Sequence, residues 1–244
     1  MAGTVELSVV VPAYNEVDRL EATLWETARY LRDRGALFEV LVSDDGSTDG
    51  TDGLVERLTC QYGELRLLRH DVNRGKGHAV KSGLAAATGK RVLFCDADGA
   101  TPIGQLPRLE RALDAGADIA VGSRALRSRS VERTSLLHRR AMGRVFSGLV
   151  TSRLAPGIRD TQCGFKLFTR AGADAVQRRL TVSGFGFDVE IFVIARRHGL
   201  TVTEVPVSWH EVPGSKVRLV GDSLAMLIDA VRVGRRDRAG AYSF

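Results

Sequence analysis

The sequence predicts an α/β domain built on a mostly parallel sheet with helices on both faces. Three observations carry this. Short β-branched apolar runs alternate with segments of helical periodicity. Polar clusters stand just after the first, second and fourth of those runs, where open parallel sheets bind ligands. The chain has 244 residues, enough to bury one sizeable core as a single unit.

The elements follow in order. VELSVVV (5–11) is a strand closed by Pro12. Glu16 to Arg34 places Leu20, Leu24, Ala28 and Leu31 at helical spacing and stops at Gly35. FEVLVSD (38–44) is the second strand, and the helix after it is expected to use Ser47 or Thr48 as its N-cap. LRLLRH (65–70) is a short strand, and GKGHAVKSGLAAATG is a helix between glycines. KRVLFCD is the fourth strand, Gln105–Ala115 a helix and DIAVGSR (118–124) the fifth strand. Beyond it, Thr134–Leu154 reads as a helix with a basic face and TQCGFKLFTR (161–170) as an extended segment. Phe187–His198 is a helix, TVTEVPVSWH a strand and Asp222–Arg235 a last, basic helix. No repeat, linker or low-complexity stretch interrupts the series.

Composition excludes several functions. The apolar share of 44% and charged share of 26% are those of an ordinary globular protein. A net charge of +6 favours an anionic partner. Nucleic acid is not expected, because the few aromatics are not interleaved with the basic residues. Cys60, Cys95 and Cys163 are widely spaced, have no zinc spacing and fit a reducing cytoplasm. The start, MAGTVELSVVVPAYNE, lacks a basic n-region, and no apolar run is long enough to span a bilayer. No G-x-x-x-x-G-K-[ST], G-x-G-x-x-G, H-E-x-x-H or G-x-S-x-G pattern is present; GLAAATGKR (83–91) has one residue too many and Arg91 where a hydroxyl is needed.

The polar clusters are PAYNE (12–16), SDDGSTDGT (43–51) and DADGAT (96–101). Singly, such residues make ordinary turns. In three units of one half they point to a binding crevice. Asp96 and Asp98, one residue apart at the end of a buried strand, suit a hard divalent cation, Mg²⁺ or Mn²⁺, which binds through one or two carboxylates and phosphate oxygens. NRGKGHAV offers a phosphate Lys76 between two glycines.

The motifs VVVPAYNE, DDGSTDGT, NRGKGHAV, DADGAT and GSR, in this order, resemble family 2 glycosyltransferases of the GT-A fold. GIRDTQCGFKLFTR (157–170), FDVEI (187–191) and VSWHEVPGSK (207–216) resemble the dolichyl-phosphate glucosyltransferase branch, a neighbour of dolichyl-phosphate mannose synthase. The resemblance implies a Rossmann-like single domain over 1–244, with a nucleotide-binding half (1–124) and an acceptor-binding half (125–244). It implies inverting, metal-dependent hexose transfer from a nucleotide diphosphate sugar, UDP-glucose above GDP-mannose. It assigns Pro12, Ala13, Tyr14 and Glu16 to the nucleoside and Asp44 and Asp45 to the base. It places Lys76, Asp96, Ala97 and Lys216 at the nucleotide or diphosphate, and Asp98 with Asp96 on the metal. Arg124 is the basic residue after the fifth strand.

Two departures stand out. Ala100 occupies the place of a glutamine that is a further metal-side ligand in the mannose synthases, so fewer protein ligands are expected. The branch usually has a membrane anchor and an aromatic-rich lipid-facing helix; residues 133–157 here have one Phe and several arginines. A cytoplasmic enzyme, with at most peripheral contact at the inner membrane surface, is the expectation.

The acceptor sets the catalytic need. A polyprenyl phosphate needs no base, only cations or donors such as Arg124, Arg133, Arg139, Gln162 or Lys166. A small hydroxylated acceptor such as a nucleoside needs a carboxylate to take its proton, with Asp188 first and Asp160 second. A non-catalytic nucleotide-sugar binding module is the third reading. The phosphate acceptor is preferred on the motifs.

Overall fold

A computed structural model describes residues 4–126, 133–134, 153–212 and 219–243. The strands among these residues are β1 (Leu7–Ala13), β2 (Phe38–Asp44), β3 (Leu65–Arg69), β4 (Arg91–Cys95), β5 (Ile119–Ser123), β6 (Arg133–Thr134), β7 (Phe165–Thr169), β8 (Val202–Pro206) and β9 (Trp209–His210). The helices are α1 (Leu20–Asp33), α2 (Thr51–Thr59), α3 (Lys76–Ala86), α4 (Leu106–Asp114, after one 3₁₀ turn), α5 (Arg170–Arg179), α6 (Phe187–Arg197) and α7 (Leu219–Arg238).

Seven strands form one sheet in the order β3-β2-β1-β4-β7-β5-β8, parallel except for β7, which runs antiparallel to both neighbours. β6 and β9 pair separately. Alternation along each strand divides two apolar layers. Val9, Val11, Val40, Val42, Leu93 and Leu167 face α1, α2 and α4, whose Leu20, Leu31, Leu54, Leu58, Leu106 and Leu109 cover them. Val10, Leu41, Val92, Phe94, Ile119 and Phe168 face α3, α5 and α6 through Val80, Leu84, Val176 and Ile191. β7, from the second half of the chain, lies between β4 and β5 of the first, so both halves share one sheet.

Several expectations need correction. Neither Ser47 nor Thr48 caps α2, which begins at Thr51 after Gly50 in the left-handed region (φ 92°). Both are drawn to the 12–16 loop instead: Asn15 N donates to Ser47 Oγ (2.8 Å), and Thr48 N donates to Asn15 Oδ1 (2.8 Å). The extended reading of 161–170 holds β7, which starts four residues later, at Phe165, and the helix α5 that follows from Arg170 was not expected. Its signal was present, with Thr169 accepting from Gly172 N as N-cap and Ala173 and Val176 buried at helical spacing. TVTEVPVSWH splits into β8 and β9. The expected helix over Thr134–Leu154 lies almost entirely outside the described residues, as do Lys216 and Arg139.

Candidate active site

The three polar clusters meet at the carboxyl ends of β1, β2 and β4, because these strands are neighbours in parallel register. The first two loops are stitched together by the Asn15 contacts, by Glu16 N donating to Thr51 Oγ1 (2.8 Å) and by Asp45 N donating to Ala13 O (2.9 Å). Pro12 and Ala13 end β1, and Tyr14 is exposed. Asp44 is buried and accepts from Ser47 N (3.2 Å) and from the Ser47 hydroxyl. Asp45 is buried too and accepts from Arg74 N (3.1 Å) and Gly75 N (2.6 Å), which fixes the loop that leads into α3.

That loop presents Lys76. Gly75 has φ 107°, and a Cβ there would collide with Ser183 O; Gly77 N donates to the same carbonyl (2.7 Å). The backbone of 182–184 thus seats the first turn of α3. Lys76 Nζ lies 2.6 Å from Asp96 Oδ1 and over the rings of Phe94 and Phe185. Burial works against its ammonium, but Asp96 and Asp188 outweigh that and hold its pKa above the ordinary lysine value.

Asp96 follows β4, and its N donates to Gly164 O (2.9 Å). Any side chain at Gly164 would strike the Asp96 carboxylate. Asp98 accepts from Ala100 N (3.0 Å). Burial first, and the charge of Asp96 second, raise its pKa. Two carboxylates one residue apart, one of them buried and disfavoured by the other's charge, are a donor set that a hard cation relieves. The set therefore fits Mg²⁺ or Mn²⁺, with remaining coordination from substrate oxygens, since among the described residues no three acidic, His or Cys side chains form a metal cage. Ala97 is buried between them. Arg19, which the sequence reading missed, is paired with Glu16 and lies within the field of Asp98 and Asp96. Its signal was its place five residues beyond Tyr14, on the turn that opens α1.

Two other carboxylates have dedicated cations. Arg124 grips Asp160 in a fork, Nε to Oδ2 (2.8 Å) and Nη2 to Oδ1 (2.9 Å), and its N also donates to Oδ2 (2.8 Å). Burial would raise the Asp160 pKa, but Arg124 holds it below the ordinary value. Lys166 is fully buried, donating to Asp188 Oδ1 (2.5 Å) and Cys163 O (2.7 Å). It offers no exposed surface to an acceptor, contrary to the sequence expectation; β7 is an interior strand paired on both sides, and both of its faces are covered. Asp188, in the first turn of α6, is raised by burial against the opposing pull of Lys166. Gln162 N donates to Asp160 Oδ1 (3.2 Å), and its buried side-chain nitrogen has no hydrogen-bond partner among the described residues. Arg133 sits in β6 beside Trp209 of β9.

Glu190, within FDVEI (187–191), is a residue to which the sequence attaches no role. It is buried and accepts from Thr181 N (2.9 Å), Val182 N (2.7 Å) and Tyr242 Oη (2.6 Å). This ties the end of the chain to the loop that seats α3.

Comparison with known proteins decides the family. The profile of Glycosyl transferase family 2 matches residues 8–177. The chain belongs to this family. It is a glycosyltransferase. It is 36% identical over 255 residues to the dolichyl-phosphate beta-glucosyltransferase of Saccharomyces cerevisiae, covering 97% of this chain and 76% of that one. It is 38% identical over 258 residues to the Homo sapiens protein of the same name, covering 98% and 78%. Among solved structures, glucosyl-3-phosphoglycerate synthase from Mycobacterium tuberculosis, in complex with Mn²⁺, UDP and glucosyl-3-phosphoglycerate, superposes with a TM-score of 0.65 at 23% identity, over 95% of this chain and 80% of that one. Mannosyl-3-phosphoglycerate synthase from Rubrobacter xylanophilus gives 0.67 at 22%, over 96% and 74%. These likenesses show the GT-A fold.

Proposed function

We propose that this glycosyltransferase moves glucose from UDP-glucose to the phosphate of a polyprenyl phosphate such as dolichyl phosphate, with inversion at the anomeric carbon. The relatives named above support the glucose and the lipid phosphate over nearly the whole chain. The observation that carries the acceptor is the pairing of both candidate bases. Asp188 is bound to Lys166 and Asp160 to Arg124, so neither is a free carboxylate waiting for a hydroxyl proton. A phosphate monoester is already anionic at neutral pH and needs no base.

The residues divide the work as follows. Asp45 would take the uracil imide N–H with a lone pair left over from its loop contacts, and Asp44, held by Ser47, would brace the loop beside it. Pro12, Ala13 and Tyr14 would flank the uridine, with Glu16 fixing Arg19 beside the diphosphate. Asp96 and Asp98 would hold Mg²⁺ or Mn²⁺, which when bound neutralises charge on the leaving diphosphate. Lys76, already in an ion pair with Asp96, would add a second cation at that place. The acceptor oxygen attacks C1 of glucose from the face opposite UDP, the C1–O bond to the diphosphate breaks, and UDP leaves with the electron pair. The Gln162 side-chain donor and the Arg124–Asp160 pair would orient the acceptor phosphate. A lipid acceptor puts this work at a membrane surface; among the described residues no helix is long and apolar enough to cross a membrane.

The test is transfer of label from UDP-glucose, with Mn²⁺ or Mg²⁺, to a water-soluble short-chain prenyl phosphate. A β-linked glucosyl phosphodiester is expected. Turnover of a nucleoside or sugar hydroxyl without the phosphodiester would overturn the acceptor. Calorimetry should show UDP bound more tightly than ADP or GDP, with the preference reduced in Asp45→Ala; tighter GDP would point to a mannose donor.

A further inference from the structure

α7 is a 20-residue helix with two unlike faces. Its inner face is Ala230, Val233 and Asp237, all buried, with Asp229 packed against Gly184 and Gly186. Half a turn away stand Leu224 (60% exposed), Leu227 (41%), Ile228 (44%) and Val231 (48%). Their spacing of i, i+3, i+4 and i+7 lines them up as one stripe pointing directly away from the protein. The other exposed large hydrophobics, Tyr14, Trp25, Leu37 and Val72, are scattered one to an element or loop. Scattered apolar residues are ordinary on a surface, whereas an aligned set marks a contact.

The same face continues in charge. At 100° per residue, Arg235 and Arg238 fall in line with the stripe one and two turns on, and Arg232 flanks it; all three are exposed. We propose that this outward face of α7 docks the enzyme on an anionic lipid bilayer, with the four apolar side chains entering the headgroup boundary and the arginines meeting lipid phosphates. This rests on the lipid-phosphate acceptor proposed above. Two observations favour a bilayer over a second copy of the chain. The stripe covers about 10 Å of helix, a fraction of the ~800 Å² per partner that a stable dimer buries, but enough for shallow insertion. Its basic continuation is complementary to anionic headgroups.

The position of α7 gives the docking a purpose. Its inner face carries Asp229 onto the 184–186 segment, which leads into the first turn of α6 and Asp188. The adjoining Ser183 carbonyl holds the turn that presents Lys76. The helix that would meet the bilayer therefore packs directly on the segment that leads to Asp188 and adjoins the turn presenting Lys76.

The experiment is flotation of the full chain with vesicles of phosphatidylcholine alone or with about 30% phosphatidylglycerol, run beside transfer assays. Wild type should bind the anionic vesicles and bind less as salt rises. Leu227→Glu/Ile228→Glu should reduce binding by at least about tenfold. Arg235→Glu/Arg238→Glu should remove the preference for anionic vesicles. Both variants should keep the wild-type melting temperature and turnover on a short-chain prenyl phosphate, and lose turnover on a long-chain acceptor in vesicles. Wild type failing to float, or either variant floating like wild type, would overturn the docking surface. So would a wild-type dimer that the Leu227/Ile228 variant converts to monomer. Loss of flotation in the variants while neither short- nor long-chain phosphate accepts glucose would uphold the docking surface and overturn the acceptor.

Discussion

Asp96 and Asp98, at the end of β4, share one nearby lysine, while Asp160 and Asp188, across β7, each have a cation of their own. The contrast is clearest between Asp98 and Asp160. Asp98 is raised by burial and by the charge of Asp96, and Asp160 is held down by Arg124 despite burial; in Asp188, burial outweighs the pull of Lys166. The first region has two carboxylates against one ion-paired lysine, and in the second each carboxylate has its own cation. On the function proposed above, the first would take a metal and a diphosphate, and the second would orient an acceptor without taking its proton.

Removing a carboxylate from the unbalanced side should have the largest effect. Asp98→Ala is expected to lower transfer by at least about 10³-fold, since several kcal/mol of charge stabilisation go with the metal. EDTA should mimic it in wild type. Full activity of the variant in EDTA would break the comparison.

The balanced side should answer in stability. Lys166→Met leaves Asp188 buried without a partner and should cost about 3–5 kcal/mol in denaturant unfolding. Lys166→Met/Asp188→Leu should recover most of it. If the single variant is as stable as wild type, the pair is not what holds β7 to α6. Asp188→Asn sharpens the comparison in kinetics. With a prenyl phosphate, turnover per folded enzyme should fall less than about tenfold, whereas a hydroxyl acceptor would lose roughly 10²–10⁴-fold with UDP binding intact.

Smaller effects follow from the remaining pairs. Tyr242→Phe removes one hydrogen bond to Glu190 and should cost about 1–2 kcal/mol in stability, loosening the 181–186 loop. Asp160 is depressed in the folded state, so its contribution is present above its unfolded value of 3.8 and is lost as pH falls through the folded one. The melting-temperature gap between wild type and Asp160→Asn should therefore narrow below about pH 4. A gap constant down to pH 2 would show that Arg124 does not hold that carboxylate.

Much of this was legible in the chain. The alternation of β-branched runs and helical spacing locates β1 to β5 and α1, α3, α4 and α6 to within a few residues, because local periodicity reports which faces are buried. The Asp-x-Asp and the loops at 12–16 and 43–51 stood out because polar clusters after buried strands are costly unless used. Other features did not show. α2 lost its expected cap because Ser47 and Thr48 bond across to Asn15, 32 and 33 residues away in sequence. Lys166 read as a cation for the acceptor because nothing local reveals that β7 enters the middle of the sheet, between β4 and β5.

The sequence by itself determined the layered α/β architecture and which polar loops follow its buried strands, since both follow from patterns within single elements. The tertiary structure alone decided which charges are free. Pairing of Lys166 with Asp188, of Arg124 with Asp160 and of Lys76 with Asp96 joins residues 22, 36 and 20 positions apart. Whether a carboxylate acts as a base, a metal ligand or a strut depends on the charge within a few ångströms of it, and that distance is set by packing across the sheet.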